Sequence, residues 1–159
     1  MLKSMNLSKA QSDFVEKVGR WWEISVGSRT AGRIIGWLMI SDPTHQSSGD
    51  LVEALSISAG SVSTQVRQLE GLGIVERTTF PGDRATYYQL RPNAWVERMW
   101  GEQARLEAMV DLARAGDEVM PADRPDRVTE FGRIAEFLLA EWPRLMQRLT
   151  EHLEKERVT

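Results

Sequence analysis

Residues 56–77, SISAGSVSTQVRQLEGLGIVER, constrain the chain more than any other stretch. Ser58 is placed to cap a helix, and Val62, Val66 and Leu69 recur at i, i+4 and i+7, so one stripe of that helix is apolar and must face a core. Gly71 or Gly73 ends it near Leu72. The other face presents Ala59, Gly60, Ser61, Ser63, Thr64 and Arg67, side chains mostly too short to hold off another molecule and several able to donate hydrogen bonds. A helix pinned along one side and nearly bare along the other suits insertion into the major groove of duplex DNA.

The next residues sharpen that expectation. Ile74, Val75 and Arg77 begin an extended run, Phe80-Pro81-Gly82-Asp83 is turn chemistry, and Ala85-Thr86-Tyr87-Tyr88-Gln89-Leu90 returns as a strand rich in β-formers. Ahead of the helix, Ser47-Ser48-Gly49-Asp50 has capping-box spacing with Asp in the usual Glu position, opening a short helix that carries Leu51, Val52 and Leu55. Helix, helix and hairpin in this order predict a winged helix-turn-helix. Arg84 stands at the hairpin tip, where a cation can enter a minor groove beside the recognition helix. Ser58, as cap, joins the same face.

Two helices precede this unit. Phe14, Val18, Trp21 and Trp22 recur at helical spacing with Val15 and Val26 beside them, which predicts a helix over about residues 8–26, released by Gly27. Ser28 caps a second helix carrying Ile34, Ile35, Trp37, Leu38 and Ile40, and Asp42-Pro43 stops it. Gly32 and Gly36 lie one turn apart and allow another backbone to approach closely.

The last third is helical as well. Asn93 is placed to cap a helix over about residues 94–115, with Val96, Met99, Trp100, Leu106, Met109, Val110 and Ala113 on a broad apolar face and Gly116 at its end. Beyond a polar loop containing Pro121, Pro125 fits the first turn of a final helix. There Phe131, Ala135, Leu138, Trp142, Leu145, Leu149 and His152 alternate by four and three, a seam that wants a partner helix. Pro143 removes the hydrogen bond to the Leu139 carbonyl and predicts a kink or break near Trp142.

The fold class expected is therefore mainly α with a small β-hairpin wing: a winged helix-turn-helix plus long dimerisation helices. Residues 1–27 form an N-terminal helix belonging to the dimerisation region, 28–92 the DNA-binding domain and 93–159 the C-terminal dimerisation region.

The run AGRIIGWLMISDP, then SSGDLVEALSISAGSVSTQVRQLEGLGIVER, then FPGDRATYYQLRPNAW, resembles the GbsR-like branch of the MarR superfamily of bacterial transcription regulators over about residues 14–115. A Gly-Arg-x-x-Gly helix ahead of the helix-turn-helix and an arginine-bearing wing carry the likeness. The resemblance implies a homodimer that binds operator DNA and is often released or retuned by a small molecule.

Composition bears on what else is possible. The net charge of −3 is not that of a nonspecific polyanion binder, but residues 1–91 hold 10 Lys and Arg against 9 Asp and Glu, whereas residues 92–159 hold 10 against 14. Contact with a polyanion belongs in the first part. With no Cys and only His45 and His152, neither a metal site nor a cofactor is expected. No nucleophile–base pair, phosphate loop or acid–base carboxylate pair emerges, so an enzyme is not expected. Neither a signal-peptide core nor a run near the ~20 apolar residues of a membrane span is present, which predicts a cytoplasmic protein without membrane partners.

Other readings of the same residues compete. Trp21, Trp22 and Trp37 lie on apolar stripes and read first as core, second as the wall of an effector site. His45 reads as solvated in a polar loop and His152 as an interface residue. The partners expected are double-stranded operator DNA with an inverted repeat, a second copy of the chain and a small-molecule effector; the alternative is a winged-helix protein-interaction module that binds no DNA.

Overall fold

A computed structural model of the chain describes residues 7–121 and 127–157. It divides into two compact units, one ending at Ala94 and the other beginning at Trp95.

The first unit runs α1 (Lys9–Val26), α2 (Arg29–Ile40), β1 (Gln46–Ser47), α3 (Ser48–Leu55), α4 (Ala59–Gly71), β2 (Val75–Thr78) and β3 (Tyr87–Leu90). Its helix starts are set locally. The hydroxyls of Ser8, Ser28, Ser47 and Ser58 each accept from a backbone N–H of the following first turn. At Ser47 the box is reciprocal, because the Asp50 carboxylate accepts the Ser47 N–H at 2.7 Å. Each such cap is worth about 1 kcal/mol. α1 stops at Gly27 in the left-handed conformation, φ 95.

α1 and α2 pack tightly at the pair of glycines: a Cβ on Gly32 would lie 2.6 Å from Trp22 Cβ and 2.8 Å from Gly19 Cα. The core of the unit gathers Val15, Trp22, Ile34, Ile35, Leu51, Leu55, Val62, Val66, Leu69 and Ile74, all at most 2% exposed. Fully burying side chains of this size stabilises by about 1.5–3 kcal/mol each.

The hairpin expected from the sequence has a third strand. β1 pairs antiparallel with β3, Ser47 opposite Tyr87, and β3 pairs with β2, Thr78 opposite Tyr87 and Val75 opposite Leu90. Gln46 is buried there although polar. Its amide is satisfied: Oε1 accepts from the Trp37 indole at 3.0 Å and Nε2 donates to the Pro43 carbonyl at 2.7 Å. Two residues of strand leave no periodic trace in a sequence, which is why β1 escapes notice there.

The second unit is a pair of helices, α5 (Ala94–Val119) and α6 (Arg127–Arg157). Two expectations need correction, and a third is narrowed. α5 continues past Gly116, because that glycine is a contact and not a stop: a Cβ on it would meet Val128 Cγ1 at 2.7 Å. Asn93 precedes the helix at φ 60, left-handed, where a helix-capping residue is usually extended. α6 runs on through Pro143, so of the kink or break expected there the break does not occur. Pro125 lies outside the described residues.

Only part of the expected apolar faces is buried within the unit. Leu106, Val110, Ala113 and Ala135 are buried, as is Met146 outside the expected seam, whereas Met99, Trp100, Phe131, Leu138 and Leu145 are exposed, as are Ile134 and Phe137. Trp142 donates its indole N–H to the Met99 carbonyl at 3.1 Å. His152 is exposed, with Nε2 3.5 Å from a Glu156 carboxylate oxygen.

Candidate nucleic-acid interface

α4 is held from one side only. Val62, Val66 and Leu69 are buried at 1% exposure or less, and the Ser58 hydroxyl accepts the Ser61 N–H at 3.1 Å. With 3.6 residues per turn, this stripe puts Gly60, Thr64 and Arg67 opposite the core. Ser58, Ala59, Gly60, Ser63, Thr64 and Arg67 are all exposed. Ser61 is half-buried, its hydroxyl 2.9 Å from that of Ser58. Gly60 meets nothing closer than Ser58 Oγ at 3.9 Å from a built Cβ, so the protein itself leaves this point of the helix open.

The neighbouring helices lock the frame that carries α4. Ser28 joins its hydroxyl to the Gln65 amide oxygen, linking the start of α2 to the flank of α4. Arg33 donates to the Leu55 carbonyl at 2.8 Å, at the end of α3, while its Nε lies 2.8 Å from Glu16 of α1. Arg29 donates to the other Glu16 oxygen at 2.6 Å. The hydrogen bond from Arg29, aided by the charge of Arg33, holds the Glu16 carboxyl below the ordinary carboxylate range despite an opposing desolvation.

At the far end of α4, Arg77 Nη2 donates to Glu70 at 2.9 Å, and its guanidinium carbon lies 6.0 Å from the Tyr88 ring centroid. This arginine is engaged within the protein, and the hydrogen bond to Glu70 raises its pKa further. Arg84 is different: it is exposed at the wing tip, and among the described residues it forms no ion pair. The turn before it closes from the Asp83 N–H to the Phe80 carbonyl at 3.1 Å. Asp83 then accepts the Ala85 N–H at 2.8 Å and the Tyr87 hydroxyl at 2.6 Å. That hydroxyl bond lowers the Asp83 carboxyl and raises the Tyr87 phenol from their usual values.

The face thus offers hydroxyls, a bare backbone position and two exposed cations, Arg67 and Arg84, with the acidic Glu70 neutralised at its edge. A family profile described as MarR family matches residues 28–85, spanning α2, the helix-turn-helix and the wing up to Ala85. The HTH-type transcriptional regulator MmpR5 of Mycobacterium tuberculosis is 44% identical over 105 residues, which take in 66% of this chain and 62% of that protein. A solved structure, described as the crystal structure of a transcriptional regulator, is 36% identical, with a TM-score of 0.69 over 89% of this chain and 99% of its own. Residues 28–85 are therefore similar to the MarR family.

Near this face one residue goes unread in the sequence and another is read there differently. Gln68, four residues after Thr64, is exposed on the flank of the same face and adds an amide donor and acceptor; its i+4 spacing was the signal that could have found it. His45, expected to be solvated, is half-buried, its ring centroid 4.5 Å from Phe80 and 5.2 Å from Tyr87.

The three tryptophans do not share an environment. Trp22 and Trp37 are 1% and 6% exposed, and the Trp37 indole is taken by Gln46, so these two rings are core; Trp21 is 52% exposed. In the helical unit a cavity of ≈ 200 Å³ opens between α5 and α6 beside Val110, Val128 and Gly132, smaller than the ~300 Å³ at which small-molecule pockets begin. Among the described residues no helix is long and apolar enough to cross a membrane.

Proposed function

We propose that the chain is a sequence-specific, DNA-binding transcription regulator acting as a homodimer. The observation that carries this reading is the one-sided burial of α4: its outer face holds Ala59, Gly60, short hydroxyl side chains, Gln68 and Arg67, and Arg84, without an ion pair among the described residues, stands exposed on the neighbouring wing. Such a helix enters the major groove with Ala59, Gly60 and Ser61 nearest base edges. Ser63, Thr64 and Arg67 lie toward the flanking phosphates, and Arg84 reaches the adjacent minor groove. Both relatives described above are transcriptional regulators, which agrees with it.

The dimer is supported by apolar surface left open in each unit. Phe131, Ile134, Phe137, Leu138 and Leu145 of α6 are 38–68% exposed, and in the first unit Trp21 and Ile24 of α1 are 52% and 89% exposed. A second copy covering these helices removes that surface from water and sets two lobes about one DNA turn, ~34–36 Å, apart on an inverted repeat. We place the chain in the GbsR-like branch on its Gly32-Arg33-x-x-Gly36 helix, and its work in the cytoplasm, where the chromosome lies. A small-molecule effector acts on such a dimer by favouring lobe separations that miss the half-sites.

Selection of bound fragments from a random duplex pool tests the proposal. The expected result is an inverted repeat whose affinity falls steeply with salt, as release of phosphate counterions requires. Failure to enrich any sequence, or binding indifferent to salt, overturns it in favour of a protein-interaction module.

A further inference from the structure

The wing is long for what holds it. Eight residues, 79–86, separate β2 from β3, and their backbone is closed by one turn hydrogen bond and the Asp83 contacts. A loop of that length has many conformations, and each that moves Arg84 away from a groove weakens binding by the population it takes. Against this loop lies a side chain from outside the hairpin. His45 sits in the segment between α2 and β1, and its ring packs on Phe80 at 4.5 Å and on Tyr87 at 5.2 Å, the latter nearly edge-on at 87°. Phe80 and Tyr87 themselves meet at 5.3 Å and 69°.

All three separations and tilts fall in the range where aromatic quadrupoles attract. Tyr87 is also the residue whose hydroxyl reaches back to Asp83, directly before Arg84. The contacts therefore form a continuous path from His45, through Tyr87 and Asp83, to the backbone of Arg84. Phe80 fixes the other limb of the same turn. The added strand β1, pairing Ser47 with Tyr87, holds the base of His45 in register with the hairpin.

From this we infer that His45, Phe80 and Tyr87 form an aromatic brace that holds the wing in the position from which Arg84 reaches DNA, making His45 a positioning residue for recognition without touching DNA itself. The inference rests on the DNA-binding reading for its functional consequence, but the brace is a property of the free protein.

Two measurements on the full chain separate the brace from the function. Without DNA, His45→Ala is expected to speed amide exchange across residues 79–86 while leaving α4 and the thermal melt close to wild type; His45→Phe, which keeps a ring, is expected to restore wild-type exchange. Unchanged wing exchange in His45→Ala overturns the brace whatever DNA does. With a duplex selected by the wild-type protein, His45→Ala and Arg84→Ala are each expected to weaken binding by about tenfold. The double variant is expected to be no weaker than Arg84→Ala alone, because a wing without its arginine has nothing left to position. Effects that multiply in the double variant show that His45 acts independently of Arg84 and refute the coupling. If no duplex is selected at all, the DNA-binding reading fails while the exchange result still decides the brace.

Discussion

Replacing Gly60 separates DNA binding from folding, because the two effects have opposite signs. A built Cβ at this position meets nothing nearer than 3.9 Å, so Gly60→Ala does not clash within the protein, and Gly60 is exposed opposite the core, which leaves solvent to receive the longer side chain of Gly60→Leu. Each also removes a helix-disfavouring residue from α4, a gain of up to about 1 kcal/mol, smaller near the helix start where Gly60 lies. For a chain of this size that corresponds to a rise of at most ~2–4 °C in melting temperature. In the groove the same change is unfavourable. If α4 approaches base edges with its N-terminal turn, a leucine at residue 60 pushes the helix axis outward. Giving up the hydrogen bonds to even one base pair costs about 1–3 kcal/mol, roughly 5–150-fold in affinity per half-site. Two half-sites multiply that effect. The assay is operator and random-duplex affinity at several salt concentrations, with circular dichroism and thermal melting alongside at fixed protein concentration. The expected outcome is a protein at least as stable as wild type with operator affinity reduced far more than random-duplex affinity, and Gly60→Ala in between. A folded Gly60→Leu protein that binds operator like wild type refutes the placement of α4.

Four further outcomes follow from the same geometry. Arg84→Ala should keep the wild-type melt, weaken all DNA binding and lower the salt slope by ~1 for each phosphate that the arginine neutralises in a half-site, with weaker preference for A·T-rich flanks; an unchanged slope removes Arg84 from the interface. Gly32→Ala should destabilise by about 1–3 kcal/mol through overpacking against Trp22 and Gly19, while Gly101→Ala, in open space on α5, should stabilise by up to about 1 kcal/mol; denaturant midpoints check the contrast. The Glu16 carboxyl is depressed in the folded chain by Arg29 and Arg33, so its contribution is fully present above the unfolded carboxylate value, about 4.3, and drains away as pH falls through the lower folded value; Glu16→Gln should flatten that acid limb in a series of melts from pH 6 to 3. Leu138→Glu, on the exposed face of α6, should yield a monomer by sedimentation at micromolar concentration, with helicity retained; a wild-type monomer under the same conditions contradicts the dimer.

What could be read from the chain alone were features decided within a turn or two of backbone. Ser28, Ser47 with Asp50, and Ser58 start their helices as their spacing says, because a cap is a contact between neighbours in sequence. The stripe of Val62, Val66 and Leu69 likewise oriented α4, since periodicity alone fixes which side seeks the core. The outward face of α4, and with it the candidate DNA contacts, follows from the same periodicity.

Tertiary structure decided what depends on partners distant in the chain. Gly116 is a residue type that often stops a helix but serves as a notch for Val128, and Gln46 is a polar residue whose burial is supported by the Trp37 indole and the Pro43 carbonyl. β1 exists because β3 has an edge to pair, and His45 is half-buried because Phe80 and Tyr87, more than thirty residues away in the chain, come to meet it. The apolar stripe of α6 was visible, but of it Ala135 turned inward while Phe131, Leu138 and Leu145 stayed in solvent, and Met146, off that stripe, is the residue buried in place of Leu145. Periodicity reports that a residue prefers to leave water; which surface receives it is set by packing, where the neighbour's shape and free hydrogen-bonding groups select among preferences the backbone leaves open.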